Sequence, residues 1–360
     1  MEEFQLDTKI ISGAGALAAL GEQKTQRVFL VTDPFFVKNG MADSVVRASR
    51  AAVWEIFDGV RPDPSVELAA EGTAKLKAFD PDLLVALGGG SAMDCAKAMA
   101  YFSGTKAPLA AIPTTSGSGS EVTDFAVLTH EQTKYPLVDK RLRPDLAILD
   151  SDFLRDLPPA LIADTGFDVL THAIEAYTSS NAGTIPDLLA QEAFRTAYAC
   201  LPASYAGNTE VRLRLHMAST LAGMAFSQSG LGLCHAMAHV LGARFHIPHG
   251  RLNAILLPAV ISSNAPAAQQ KYARLARAAG LGGSADTIAL RNLKNGLIRL
   301  RKDLSLPQTL SQAGAAPAQV WAATGEIVEA VLADPCCKTN PVSVEDFQIR
   351  RVLEEVTGHF

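Results

Sequence analysis

The sequence has no CxxC pair, no basic stripe, no leader-like opening and no apolar run long enough to cross a bilayer. Each absence removes a class of function. The five cysteines, Cys95, Cys200, Cys234, Cys336 and Cys337, are odd in number and include an adjacent pair. That arrangement suits a framework of bridges poorly, so they read as reduced thiols of a cytosol. A net charge of −5 lacks the cationic surface that nucleic acid or an anionic membrane requires. The longest apolar runs, such as Ala254–Ile261, fall short of the roughly 18 residues of a spanning helix. Glu2 and Glu3 stand where an export signal carries base, and no apolar segment follows, so the expectation is a soluble cytoplasmic protein. Neither GxGxxG nor GxxxxGKS/T occurs, which leaves the ordinary Rossmann fingerprint and the ATP-binding P-loop unsupported. There is no internal repeat and no low-complexity segment.

What is present is a globular composition, 48% hydrophobic and 19% charged over 360 residues, long enough for two cores. Short apolar runs at Val28–Thr32, Ala52–Phe57, Leu83–Leu87, Leu109–Ile112 and Leu146–Leu149 alternate with amphipathic stretches. This is the rhythm of a parallel sheet flanked by helices. After Leu157 the pattern changes to Ala- and Leu-rich segments at helical spacing, over 161–178, 187–200, 211–228, 233–244 and 268–279. The expected organisation is an α/β domain with a parallel, Rossmann-like sheet over 1–157 and an all-helical domain over 158–360.

Gly88–Ser91 directly follows one apolar run and directly precedes a helical stretch. Glycines at a helix start let backbone N–H groups approach a phosphate, and the helix dipole favours its charge. Taken alone such a turn is equally well a simple tight turn. A second loop, Pro113–Glu121, rich in Gly, Ser and Thr, follows the next run, where a sugar or phosphate would lie at the carboxyl edge of the sheet. Asp33, at the end of Val28–Thr32, suits the acceptor of an adenosine ribose 2′-hydroxyl and favours NAD over NADP. A helix-capping aspartate before Pro34 is the alternative.

Four of the eight histidines, His235, His239, His246 and His249, fall within fifteen consecutive residues. Upstream, Asp168 and His172 stand at i and i+4, on one face of a helix. A single histidine on an apolar helix is more often a core residue held by a hydrogen bond. This density argues instead for a metal site, and imidazoles with a carboxylate and no thiolate suit Fe(II) or Zn(II).

In order, Gly88–Asp94, Pro113–Thr123, Gly166–Tyr177 and His235–Gly242 with Pro248–Gly250 resemble the iron-dependent (group III) alcohol dehydrogenases, and the resemblance covers essentially the whole chain. Ala218–Gln228 and Lys134–Leu137 look closest to the propanol dehydrogenase branch associated with bacterial 1,2-propanediol utilisation microcompartments. The resemblance implies that Asp168, His172, His235 and His249 hold Fe(II) or Zn(II), while His239 faces substrate and nicotinamide as proton relay without being a required ligand. It implies Gly89, Gly90, Ser91 and Asp94 around the pyrophosphate of NAD(H), and Thr114, Thr115 and Ser118 around the rest of the dinucleotide. Asp33 falls on the adenosine ribose and Lys134 on the nicotinamide-side ribose, with simple solvation the alternative for Lys134. A homodimer, a small aldehyde or alcohol substrate and association with a microcompartment complete the implied picture, with no nucleic acid and no membrane. Asn340-Pro341-Val342 stands where many relatives carry Asn-Pro-Arg.

The implied reaction is hydride transfer between NAD(H) and a short-chain aldehyde or primary alcohol, propanal to 1-propanol being favoured, in a cleft between the two domains. Glycerol and lactaldehyde or other diol dehydrogenases share the plan. A dehydroquinate-synthase-like lyase would need Lys and Arg clustered around the metal, where only Arg244 and Arg251 lie near the histidines in sequence. A non-enzymatic compartment protein is the remaining rival. No covalent nucleophile is needed, so Ser116 reads as a loop residue and Cys234 as a small buried one. Phe125 and Phe226 are candidate pocket residues, and the roles of His246 and His216 stay open.

Overall fold

Apolar runs of four to six residues become strands of a parallel sheet within Gln5–Leu157, one of two units into which the chain divides. The other unit is Pro158–Phe360 with Met1–Phe4. The structure, a computed structural model, describes residues 2–131 and 133–358. In chain order the strands are β1 (Lys9–Gly13), β2 (Arg27–Val31), β3 (Val53–Phe57), β4 (Leu83–Gly88), β5 (Leu109–Pro113), the antiparallel pair β6 (Phe125–His130) and β7 (Thr133–Val138), and β8 (Leu146–Asp150). The main sheet runs β1-β8-β5-β4-β2-β3, every neighbour parallel. The helices between the strands are α1 (Pro34–Lys38), α2 (Met41–Ser49), α3 (Val66–Phe79) and α4 (Gly90–Ser103).

Alternation along each strand divides the residues between two cores. Val28, Leu30, Val85, Leu87 and Ile112 face one way and pack with Phe36 of α1 and Val45 of α2. Phe29, Val31, Leu84, Ala86 and Ala111 face the other and pack with Leu76 of α3 and Met93 and Met99 of α4. Central strands buried on both faces explain the continuous apolar runs. β2 and β4 are neighbours whose following helices, α1 and α4, therefore leave on opposite faces. The sheet order switches there, placing Asp33 and Gly88–Ser91 side by side at the carboxyl edge, the position at which open α/β sheets bind ligands.

Two parts of this sheet region carried no sequence expectation. β1 is a half-exposed edge strand beside β8, with no uninterrupted apolar run to mark it. The β6–β7 pair lies outside the main sheet and carries Lys134.

The second unit contains α5 (Pro159–Thr178), α6 (Thr184–Tyr205), α7 (Arg212–Ser229), α8 (Leu233–Phe245), α9 (His249–Ala278), α10 (Asp286–Asp303), α11 (Pro317–Ala322), α12 (Thr324–Ala333) and α13 (Asp346–Thr357). Among its described residues there is no strand. The expected helix over 268–279 is the last third of the 30-residue α9, which contains Pro258 and Pro266. A proline leaves the carbonyl four residues earlier without its helical donor. For Pro258 that carbonyl is Ala254, and the buried guanidinium of Arg301 in α10 donates to it at 3.0 Å and to Ile255 at 3.1 Å. The missing donor is replaced by a side chain, and the helix continues.

Candidate metal centre

Three helices bring the histidines together. On α5, Asp168, His172 and Glu175 repeat at i, i+4 and i+7 and share a face. α8 begins at Leu233 with a glycine before it and no side-chain cap of its own. Its free amides are taken by neighbours: Gly232 and Cys234 donate to the Glu175 carboxylate at 3.0 and 2.7 Å, and Leu233 donates to Oδ1 of Asn340 at 3.1 Å. Glu175 thus docks the start of α8 on α5, and His235 in that first turn points Nδ1 at the same carboxylate, 2.6 Å away. α9 starts at His249 and is held close to α5 because residue 250 is glycine. A Cβ there would lie 2.0 Å from the carbonyl oxygen of Asp164. Arg251 forks onto the Asp164 carboxylate at 3.1 and 2.9 Å and fixes the same junction.

One carboxylate oxygen is the focus of the arrangement. Oδ1 of Asp168 lies 3.9 Å from Nε2 of His172, 3.7 Å from Nε2 of His235 and 3.5 Å from Nε2 of His249. Bonds of about 2.0 to 2.2 Å to a tetrahedral first-row divalent ion separate its donors by about 3.3 to 3.6 Å. Asp168, His235 and His249 each bring one donor atom within 4.8 Å of the others, a group that could hold such an ion, while His172 reaches Asp168 Oδ1 from outside that group. Imidazoles with a carboxylate suit iron or zinc. His172 is fixed between two flat rings, Phe226 at 4.5 Å and His235 at 4.5 Å between centroids. The amide of Asn253, four residues beyond His249, donates to Oδ1 of Asp168 at 2.8 Å.

The electrostatics fit a place for positive charge. Burial alone would raise the Asp168 carboxyl, but His172, His249 and His235 outweigh it and hold it well below the usual carboxylate range. Burial would lower His235, yet hydrogen bonds to Asp168 and Glu175 raise it to about 9. Two carboxylates thus favour a cation at the Nε2 of His235, a proton or a metal ion.

His239 adjoins this group. Its ring stacks on His249 at 5.3 Å and 14°, and its Nδ1 lies 2.9 Å from Oδ2 of Asp334. His246 is the left-handed cap residue of α8, φ 54°, and is exposed. His216 is buried within α7. Cys234 is fully buried, and Ser116 lies buried in the loop after β5.

In the sheet unit, Gly88 has φ +149° and a Cβ on it would come 2.7 Å from that of Ala92, so the turn into α4 admits no side chain. Cβ atoms on Gly89 and Gly90 would lie 3.2 Å from Thr115 Oγ1 and 3.2 Å from Ser118 Cβ, so the two loops meet. Thr114 is buried, and its N–H donates to the Gly88 carbonyl at 2.9 Å; Ser91 opens the helix beside it. Asp94 faces inward instead of toward an open loop edge, accepting from Ser120 Oγ at 2.9 Å and Val127 N at 3.1 Å. The buried ammonium of Lys97 donates to Ser120, Thr123 and Phe125, and burial, opposed by Asp94, lowers it to about 8. Lys134 pairs with Asp63 at 2.7 Å. Asp33 caps α1, its carboxylate accepting from Phe35 N at 2.8 Å.

Residues 162–357 match the profile described as Fe-containing alcohol dehydrogenase family, C-terminal, and residues 7–151 that of iron-containing alcohol dehydrogenase. The chain belongs to the iron-containing alcohol dehydrogenase family. Like its family it is an oxidoreductase interconverting alcohols and aldehydes with iron and a nicotinamide dinucleotide. The 1-propanol dehydrogenase PduQ of Citrobacter freundii is 40% identical to it, over 99% of this chain and 100% of that one. The NADPH-dependent butanol dehydrogenase of Clostridium saccharobutylicum is 38% identical over 98% and 97%. Among solved structures, the iron-containing alcohol dehydrogenase of Thermococcus thioreducens superposes with a TM-score of 0.91 at 34% identity, covering 98% of this chain and 99% of that one.

In this alcohol dehydrogenase, three residues that touch the histidines were not singled out by sequence reasoning. Glu175 and Asn253 had a local signal, because each continues the helical face of a histidine three or four residues before it. Asp334 had none, since it reaches His239 from a loop 95 positions away.

Proposed function

We propose that this enzyme is an NAD(H)-linked dehydrogenase that reduces short-chain aldehydes, propanal above all, to primary alcohols, with Asp168, His172, His235 and His249 holding its iron. The observation that carries the metal assignment is the approach of three Nε2 atoms to one oxygen of Asp168 at 3.5 to 3.9 Å. Propanal is favoured by the similarity to a protein named 1-propanol dehydrogenase. A similar protein is named NADPH-dependent, so the choice of NAD rests on Asp33, whose carboxylate would repel a 2′-phosphate. Gly89, Gly90, Ser91, Thr114, Thr115 and Ser118 would line the dinucleotide, while Asp94 acts by holding Ser120 and Val127 in place. Lys134 would reach the nicotinamide-side ribose. The resemblance to the propanediol-utilisation branch supports work as a homodimer associated with a microcompartment. Among the described residues no helix is long and apolar enough to cross a membrane.

When bound, the ion supplies Lewis acidity toward a substrate oxygen and the nicotinamide carries the hydride. The chain's own residues prepare both ends. Glu175 fixes the tautomer and direction of His235, and Asn253 holds the Asp168 carboxylate. Phe226 stacks on the buried ring of His172 and fixes its plane. Asp334 engages Nδ1 of His239, which leaves Nε2 to take the proton of an alcohol or return one to an alkoxide.

The test is NADH oxidation with propanal by anaerobically purified protein, before and after chelation and after Fe(II) or Zn(II) is restored. Turnover should stop on chelation and return with one ion. His249→Ala should lose metal-dependent turnover and keep NADH binding. Turnover indifferent to chelation, or loss of NADH binding with metal retained, would overturn the assignment.

A further inference from the structure

Beside the N₃O group lies a second cluster that the mechanism above uses only in part. His239, Asp334 and Cys336 each offer one donor atom, and these lie within 4.8 Å of one another. We propose that these three residues form a second metal site for a thiophilic divalent ion such as Zn(II) or Cd(II), and that its occupation inhibits the enzyme.

The donor chemistry separates the two sites. The first has three imidazoles and a carboxylate, whereas the second joins one imidazole, one carboxylate and a thiol, and thiolate sulfur selects soft and borderline ions. The second set is also held in place. Asp334 begins the 3₁₀ turn Pro335–Thr339, and its Oδ1 accepts from Cys336 N at 2.8 Å. Its Oδ2 lies 2.9 Å from His239 Nδ1, so an imidazole nitrogen and a carboxylate oxygen already face each other beside the sulfur. Cys337 is turned away, its thiol donating to the Val331 carbonyl at 3.1 Å.

Access differs as well. The His235 side chain is 1% exposed, whereas that of His239 is 23% exposed, and Cys336 is only partly buried. An ion arriving from solvent meets the second cluster with three donors and leaves a coordination position for water. Burial, followed by the charge of Asp334, holds the Cys336 thiol well above its ordinary value, so the ion must displace its proton to solvent. Because His239 stacks on His249, the two ions would repel, and the second would bind more weakly than the first. Inhibition follows from the proposed relay: a second ion coordinated by His239 and Asp334 breaks the contact that leaves Nε2 of His239 able to move a proton. That consequence, unlike binding itself, rests on the function proposed above.

The experiment uses enzyme loaded with one equivalent of Fe(II) under anaerobic conditions and titrated with Cd(II), with iron content measured after each addition. A thiolate-to-cadmium absorption should grow to one equivalent per chain with iron retained, while turnover falls in parallel. Cys336→Ser should keep basal turnover and its iron, show no such band and resist the same Cd(II). Cys337→Ser should behave as the parent. No thiolate band, a band that persists in Cys336→Ser, or one lost instead in Cys337→Ser would overturn the site. A band that needs Cys336 but leaves turnover untouched would support the site and remove His239 from the proposed chemistry.

Discussion

Oε2 of Glu175 lies 2.6 Å from Nδ1 of His235, and the same carboxylate accepts the amide hydrogens of Gly232 and Cys234. One buried side chain on α5 therefore both caps α8 and sets the direction of a histidine in its first turn. Packing of helices and orientation of a proposed metal donor are the same contact.

Glu175→Gln should expose that coupling. The amide keeps the shape and one acceptor but loses the charge that holds His235, and such partners of metal-bound histidines are worth about 10- to 100-fold in metal affinity. Competition with a chelator should show a drop of that size with helix content unchanged. Unaltered affinity would mean that the contact serves packing alone.

Gly250→Ala places a methyl 2.0 Å from the Asp164 carbonyl, a backbone atom that cannot swing aside. The start of α9 must move, and His249 with it. We expect a loss above about 3 kcal/mol, the upper end for overpacking, in denaturant unfolding, together with weakened metal binding. A variant of parental stability would show that the junction yields more easily than the geometry allows.

Asp33→Ser separates two roles of one carboxylate. Serine caps a helix as well as aspartate does, so α1 should persist, while the charge that would repel a 2′-phosphate in the proposed site is gone. The ratio of kcat/KM for NADPH over NADH should rise by about tenfold, equivalent to ~1.4 kcal/mol. An unchanged ratio would confine Asp33 to its cap.

Lys97 gives a pH signature. Its folded value of about 8 lies below the ordinary 10.5, burial being the cause. Between those values the unfolded chain holds a proton that the folded chain has released, so this group makes stability rise with pH across that window. Below the folded value both states are protonated and the contribution is flat. Lys97→Met should remove the rise whatever its offset at neutral pH. Parallel stability curves for variant and parent from pH 8 to about 10.5 would show that the buried ammonium is not the group responsible.

The sequence by itself determined the alternation of the sheet unit and the helical character of the second, and it supplied the residue types of the proposed metal centre. Apolar runs such as Leu83–Leu87 record burial on both faces, and the pair Asp168 and His172 records a shared helix face. These are short-range signals that survive in one dimension. Only the tertiary structure decided which atoms meet. β1 was illegible because a half-exposed edge strand leaves no continuous apolar run, and α9 because two prolines interrupt its pattern while Arg301 replaces a lost donor from another helix. Glu175 on His235, Asp334 on His239 and Gly250 beneath Asp164 are contacts between residues 60, 95 and 86 positions apart. No local pattern encodes them, because their energy appears only when separate helices pack.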